Sequence, residues 1–171
     1  MKKILSILGT ITLIGTSTTS LVDCKDKINE YTPEKLTELK EKNKIDTKNK
    51  EIRDNLEWIA PQQKPFNQVD DKWYYVVWKG ENKYHLNKFK NIVHNDELII
   101  NDGTNHFYLR LDADLNLLYV YETYQGKETK FHYWKNKNDD YIKSVYRWNG
   151  KEQKLPDLIV DNNGNVKVNG E

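Results

Sequence analysis

The residue best suited to covalent chemistry is Cys24, the only cysteine in the 171-residue chain. A cysteine thiolate is an effective nucleophile, and without a second cysteine it cannot form a disulfide within the domain. The sequence contains no Cys-His pair, glycine-rich phosphate loop or nucleophile elbow that would use Cys24 in catalysis. The chemistry that remains open to Cys24 is covalent modification, so we predict that it is an attachment site.

The histidines and carboxylates do not form a recognisable metal or catalytic site in the sequence. The four histidines occur singly, without the short helical spacings of a zinc site: His85, His94, His106 and His132. Residues 112–116 begin like a calcium loop, but Leu117 occupies the glycine position and Thr123 the position of the bidentate glutamate. Adjacent acids such as Asp70 and Asp71 point to opposite faces of a strand. We therefore expect no metal, no cofactor and no enzymatic activity.

One aromatic stretch, 73–78, is apolar on both faces of the strand that its residues favour. Such a pattern is typical of a central strand that is covered on both sides, and this is the interpretation that we prefer. The pattern also fits a strand that presents aromatic rings outward to a sugar or a protein partner. In that alternative, Trp73, Tyr75 and Trp78 form the binding surface.

The first 23 residues have the organisation of a secretory signal peptide. Lys2 and Lys3 precede an apolar run from Ile4 to Ile14, and a hydroxyl-rich segment, 16–20, follows. The apolar run of about eleven residues is shorter than the roughly twenty that span a bilayer as a helix. We therefore predict a cleaved export signal over residues 1–23. The alternative is an uncleaved anchor from Ile4 to Val22, which the hydroxyl-rich segment disfavours.

The leader from Met1 to Cys24 resembles that of mollicute surface lipoproteins, particularly the spiroplasma type. In these leaders a Met-Lys-Lys-(Ile/Leu)-Leu-Ser-Ile-Leu-Gly opening is followed by threonines and serines and then by a cysteine, as it is here. The resemblance covers the leader alone. It implies cleavage before Cys24, a lipid such as palmitate anchored through the sulfur, and display on the outer face of the cell membrane. The family usually has Ala, Ser or Gly before the cysteine, whereas this chain has Asp23; ordinary cleavage near Ser20 would leave Cys24 as a free thiol.

The segment 24–65 is charged and poor in aromatic residues, and we predict that it is a short helical tether. Thr32-Pro33-Glu34 is a good helix start, because it combines a hydroxyl cap, a proline at the first position and an acid in the first turn. Ile52, Leu56 and Ile59 follow at helical spacing and predict a second helix. The prolines in 61–65 then form a stiff, non-helical connector.

From residue 66 to residue 171 the sequence alternates with period two, as in an antiparallel sheet. Phe107, Leu109 and Leu111 share one face of such a strand, and glycine-containing turn signals separate the runs. These signals are Lys79-Gly80, Asp102-Gly103, Gln125-Gly126, Asn149-Gly150 and Asn163-Gly164. We predict a mainly β domain of about eight to ten short antiparallel strands, arranged as a sandwich or a partly open barrel.

The chain is close to electrically neutral. It contains 27 basic and 26 acidic residues, a net charge of +1, and removal of residues 1–23 takes away Lys2, Lys3 and Asp23 and leaves 0. A neutral chain has no overall field that would attract nucleic acid. Together with the leader, this favours a lipid-anchored surface protein, a binding, adhesion or structural module that contacts a host or neighbouring surface protein. The alternatives are an exported hydrolase and an accessory subunit of a membrane transporter.

Overall fold

The computed structural model describes residues 30–92, 98–100, 106–112, 115–135 and 140–171. Several sequence predictions fall outside these residues: the signal peptide, Cys24, His94, the turn at Asp102-Gly103, and Ala113 and Asp114 of the calcium-like loop. Neither α-helix in the described part of the chain is long and apolar enough to span a membrane.

The described chain contains two α-helices and ten strands, with short 3-10 turns between some of them. The helices are α1 (Pro33–Lys42) and α2 (Lys50–Asn55). The strands are β1 (Leu56–Ile59), β2 (Trp73–Gly80), β3 (Lys83–Lys90), β4 (Leu98–Ile100), β5 (Phe107–Asp112), β6 (Leu117–Tyr124), β7 (Lys127–Tyr133), β8 (Ile142–Trp148), β9 (Leu158–Val160) and β10 (Val166–Val168). The 3-10 turns are Pro61–Gln63, Pro65–Asn67 and Glu152–Lys154.

Two four-stranded antiparallel sheets face each other across the main core. The first sheet has the order β1-β8-β2-β3 and the second the order β4-β5-β6-β7. Tyr74, Val76 and Trp78 of the first sheet pack in one hydrophobic cluster with Leu109 and Val120 of the second. The mainly β, antiparallel sandwich predicted from the sequence is therefore confirmed, and the sheets do not close into a barrel.

The first sheet is also covered on its other face. Tyr75 and Val77 of β2 pack there with Ile52 of α2 and with Leu158 and Val166 of the β9–β10 hairpin. Strand β2 is thus apolar on both faces because each face enters a different core, which confirms the prediction of a buried central strand. The alternative of an outward aromatic surface is wrong for two of its three rings, since Tyr75 is 2% exposed and Trp78 is 0% exposed.

The tether contributes more to the fold than the sequence predicts. Helix α1 begins as expected at Thr32, whose hydroxyl accepts a hydrogen bond from the Lys35 amide at 3.3 Å. The second helix ends at Asn55, however, and the predicted helical residues that follow it form β1, paired with β8. Leu56 and Ile59 share a face of a helix, but on a strand they point to opposite faces and fill the two separate cores. The β structure therefore begins before the predicted boundary at residue 66.

The turn signals have mixed outcomes. Gln125 and Gly126 have φ values of 52° and 74° and close the β6–β7 hairpin, as predicted. The β2–β3 hairpin turns two residues later than expected, at Glu81-Asn82. The hairpin predicted at Asn149-Gly150 is wrong, because neither residue has a positive φ and a 3-10 turn follows β8 instead.

Gly150 is nevertheless constrained, by packing against Trp148. A Cβ added at Gly150 would lie 2.7 Å from Cε2 of the Trp148 indole. This ring is 1% exposed and is held by a 2.9 Å hydrogen bond from its Nε1 to the Lys151 carbonyl, so it cannot easily move away.

We expect Gly150→Ala to lower the free energy of unfolding by about 1–3 kcal/mol, the usual cost of overpacking a core. Denaturant unfolding of Gly150→Ala measures this change. The matched control repeats the substitution in a Trp148→Leu background, where the added methyl group no longer meets the indole and should cost much less. An equal cost in both backgrounds would contradict the proposed contact.

Candidate functional site

The outward side of the second sheet carries a cluster of aromatic residues around one arginine. Side chains alternate between the two faces along β5, β6 and β7. Leucine and valine of β5 and β6 point into the main core, and the residues between them point outward. These outward residues, which we call the aromatic face, are Tyr108, Arg110, Tyr119, Tyr121, Phe131 and Tyr133.

Strand register aligns the aromatic face into two rows across the sheet. Tyr121 lies opposite Tyr108 on one side and Phe131 on the other. The Tyr108 and Tyr121 rings stack with centroids 5.1 Å apart and planes at 14°. In the second row, Tyr119 lies opposite Tyr133, with ring centroids 5.4 Å apart. Such cross-strand aromatic pairs stabilise a sheet and hold the rings in fixed positions.

Arg110 fixes the centre of the aromatic face. Its guanidinium carbon lies 4.5 Å from the centroid of the Tyr121 ring, within cation–π range. The same group donates to the Tyr119 hydroxyl at 3.2 Å and forms an ion pair with Glu128 at 3.0 Å. Burial alone would lower the pKa of Arg110, but Tyr119 and Glu128 outweigh it and raise the pKa, so the guanidinium stays charged.

Exposure differs between the middle and the margin of the aromatic face. Tyr119 and Tyr121 on the central strand are only 6% and 5% exposed, because their neighbours cover them. Tyr108 and Tyr133 are half-buried, and Phe131 on β7 is 41% exposed. The face therefore offers a rigid aromatic base with accessible rings at its edge.

A groove lies at the end of the aromatic face. It has a volume of about 300 Å³ and lies between the proline connector, the β5–β6 turn and the end of β7. Tyr133 lines the groove as well as the face, and Trp134 beside it packs on Phe66 with ring centroids 5.9 Å apart. Lys64 and Asn116, on opposite sides of the groove, have left-handed backbone with φ of 46° and 54°. The groove is thus continuous with the aromatic face through Tyr133.

The residues that the sequence proposed as a site lie elsewhere. The Tyr75 hydroxyl donates to the Pro156 carbonyl at 3.0 Å, and Trp78 Nε1 donates to Asn87 at 2.6 Å, so both are committed to the core. Trp73 is half-buried on the same face of β2 as Tyr75, with the Lys88 ammonium 6.0 Å from its ring centroid. Cys24 lies outside the described residues.

The sequence does not single out the aromatic face, and the reason lies in strand β6. Strand β6 is apolar on both faces, with Leu118 and Val120 on one and Tyr119 and Tyr121 on the other. Sequence alternation separates the two faces but cannot say which one enters the core. The clearest available signal was Arg110, because it alternates with Leu109 and Leu111 and marks its own face as the outward one.

One histidine does take part in a cluster of polar groups. His132 Nε2 lies 3.1 Å from Glu122 Oε1, and its ring stacks on Tyr141 with centroids 3.6 Å apart. Glu122 also forms an ion pair with Lys130 at 3.1 Å and accepts from the Tyr141 hydroxyl at 3.3 Å. Burial would raise the pKa of Glu122, but these hydrogen bonds outweigh it and lower the pKa. Within the ranges that the structure describes, no three His, Cys, Asp or Glu side chains form a metal-binding group.

Comparison with known proteins finds no relative for this chain: no family model, curated protein or solved structure matches it.

The lowered pKa of Glu122 predicts a loss of stability in acid. Its carboxylate stabilises the fold at pH values above its ordinary pKa of 4.5, and this contribution is lost as the pH falls through the lower folded pKa. Thermal unfolding at pH 7 and pH 3 should show a smaller acid-induced fall in Tm for Glu122→Gln than for the wild type. Glu81→Gln, in an exposed turn, is the control and should follow the wild type. Equal falls for all three proteins would contradict the prediction.

Proposed function

We propose that this protein is an exported, lipid-anchored surface module that binds a protein partner through the aromatic face. The observation that carries the proposal is the contrast between the two sheets. The first sheet is covered on both faces, whereas the residues of the aromatic face belong to neither of the two hydrophobic clusters in the described chain. Phe131 at its margin stays 41% exposed. Accessible aromatic surface of this kind marks interaction sites.

The composition of the face supports a protein partner. Its six residues are four tyrosines, a phenylalanine and an arginine. Tyrosine and arginine are enriched where protein interfaces have most of their binding energy, and aromatic rings lose little conformational entropy on binding. Arg110 is already partly desolvated and held by Tyr119 and Glu128, so it needs little further ordering when a partner arrives.

The groove gives the proposed interface a recess. Protein hot spots typically pair an anchoring side chain with a pocket on the other partner. A volume of about 300 Å³ beside Tyr133 and Trp134 suits an apolar or aromatic side chain of the partner. Tyr133 would then contact both the inserted side chain and the flat surface around it.

The leader supports the proposed location. An export signal followed by Cys24 would place the domain outside the cell, attached to the membrane by its lipid. There it could reach a neighbouring surface protein or a host protein, which are the partners that the sequence suggests.

The proposed interface predicts that binding depends on exposed rings of the face. Phe131→Ala should weaken binding to immobilised cell-surface or matrix proteins about fivefold or more, because truncation of an interface anchor typically costs over 1 kcal/mol. Surface plasmon resonance with the purified protein measures the affinity. Ile159→Ala removes an apolar side chain of similar exposure, 45%, from the β9–β10 hairpin and should have no effect. Equal binding by all three proteins would contradict the interface.

The proposed anchor predicts that Cys24 determines how the protein partitions between detergent and water. Two acyl chains are sufficient for stable membrane attachment. Wild-type protein expressed in a bacterium that processes lipoproteins should enter the detergent phase, whereas Cys24→Ser should stay in the aqueous phase. Intact mass should show the added lipid on the wild type alone. Recovery of both proteins from the aqueous phase would exclude lipid attachment at Cys24.

A further inference from the structure

A second candidate site lies on the opposite side of the sandwich, in a cavity of about 500 Å³. Three segments enclose it: the loop 43–48 between α1 and α2, the start of β8, and the residues around β10. Ile45 and Thr47 anchor the loop, since each is only 7% exposed. The wall that this loop forms is therefore held in place by the second hydrophobic core.

Lysine is the most frequent charged residue in the lining of the cavity. Five lysines and two acidic residues line it, and two of the lysines, Lys44 and Lys167, form ion pairs with Glu41 and Asp161 just outside the lining. The lining lysines are Lys42, Lys44, Lys48, Lys143 and Lys167, and the acids are Asp46 and Glu171. With these two pairs counted, five lysines and four acids leave an excess of one positive charge at the cavity. Such a concave, positive site attracts anions.

A β-bulge places one of these lysines at the cavity. Val77 pairs with Ser144 and Trp78 pairs with Ile142, so Lys143 is the extra residue in β8. Bulges of this kind redirect a side chain and are common beside functional sites. The Lys143 ammonium lies 5.1 Å from the centroid of the Tyr84 ring and donates to the Asn163 carbonyl. It is thus held at the cavity by contacts with two other elements.

The cavity also contains hydroxyl groups and apolar surface. Ser144 is 7% exposed and Tyr146 is 6% exposed, and both line the cavity. Burial raises the pKa of Tyr146, so its hydroxyl keeps its proton. Ile45 and Val166 add apolar surface to the lining. A ligand that matches this lining has an anionic group joined to an uncharged organic part.

We infer that this cavity binds a small phosphate ester, of the size of a sugar phosphate or a mononucleotide. Lysine ammonium groups are common phosphate ligands, and 500 Å³ lies within the range of small-molecule sites. The phosphate would lie toward the ammonium groups of Lys143 and Lys48, with the organic part on Tyr146 and Val166. This site is separate from the aromatic face, so its occupancy does not depend on the partner proposed above.

Isothermal titration calorimetry of the whole chain tests the inference with glucose 6-phosphate and AMP, each matched with its uncharged counterpart, glucose or adenosine. We expect at least one ester to bind with a Kd below about 1 mM, and the counterpart to bind at least about tenfold more weakly. No heat with either ester at about 10 mM, or equal binding of the uncharged compounds, would overturn the inference.

Charge variants show whether the binding uses this cavity. Lys143→Met and Lys48→Gln should each weaken binding of the ester by about three- to tenfold. Lys127→Gln removes the same charge from exposed β7 of the other sheet and should bind as the wild type does. Lys48 is exposed on a loop, so its variant tests the site even if Lys143→Met unfolds. Unchanged affinity in Lys48→Gln, or equal weakening in Lys127→Gln, would contradict the assignment.

Discussion

The structure depends on one constraint, which is that strand β2 must be buried on both faces. Its side chains are apolar on each face, and Tyr74, Val76, Val77 and Trp78 are all 0% exposed. Two cores are therefore required, one on each face of the strand. The second sheet supplies one core, and α2 with the β9–β10 hairpin supplies the other. Removal of either covering layer would expose a full row of β2 side chains.

A network of charges joins the N-terminal segment to this arrangement. Glu57 on β1 forms ion pairs with Lys40 of α1 and with Arg147 of β8, the latter at 2.8 Å. Burial would raise the pKa of Glu57, but its hydrogen bonds from Lys40, Asn149 and Arg147 outweigh it and lower the pKa. The carboxylate thus stays charged and holds α1 against the edge of the first sheet. The described part of the predicted tether is therefore a structural part of the domain.

The sequence predicts features that depend on local chemistry and fails where distant residues decide. Thr32 caps α1 and Gln125-Gly126 closes a hairpin because each needs only its neighbours. The apolar residues in 56–59 have helical spacing, but the segment pairs with β8 and its side chains fill both cores. No local sequence pattern reveals these distant partners. Gly150 likewise matches a turn signal, while its actual constraint is the Trp148 ring. Strand β6 by itself does not reveal the aromatic face, because both of its sides are apolar, and the outward side is marked by Arg110 on the neighbouring strand.

The two candidate sites follow from the same layered arrangement. The aromatic face lies outside the second sheet, while the lysine-lined cavity lies against the opposite face of the first sheet, so both sheets separate them. Arg110 at the face is neutralised by Glu128, which suits an interface that must exclude water. At the cavity, Lys42, Lys48 and Lys143 exceed the two lining acids even with Lys44 and Lys167 paired outside it, which suits a ligand that supplies negative charge. Because loop 43–48 is a wall of the cavity and continues from α1, a bound anion would also link the N-terminal segment to β8 and the β9–β10 hairpin. The cavity is therefore the point at which a small ligand could influence how firmly the N-terminal segment is held on the domain.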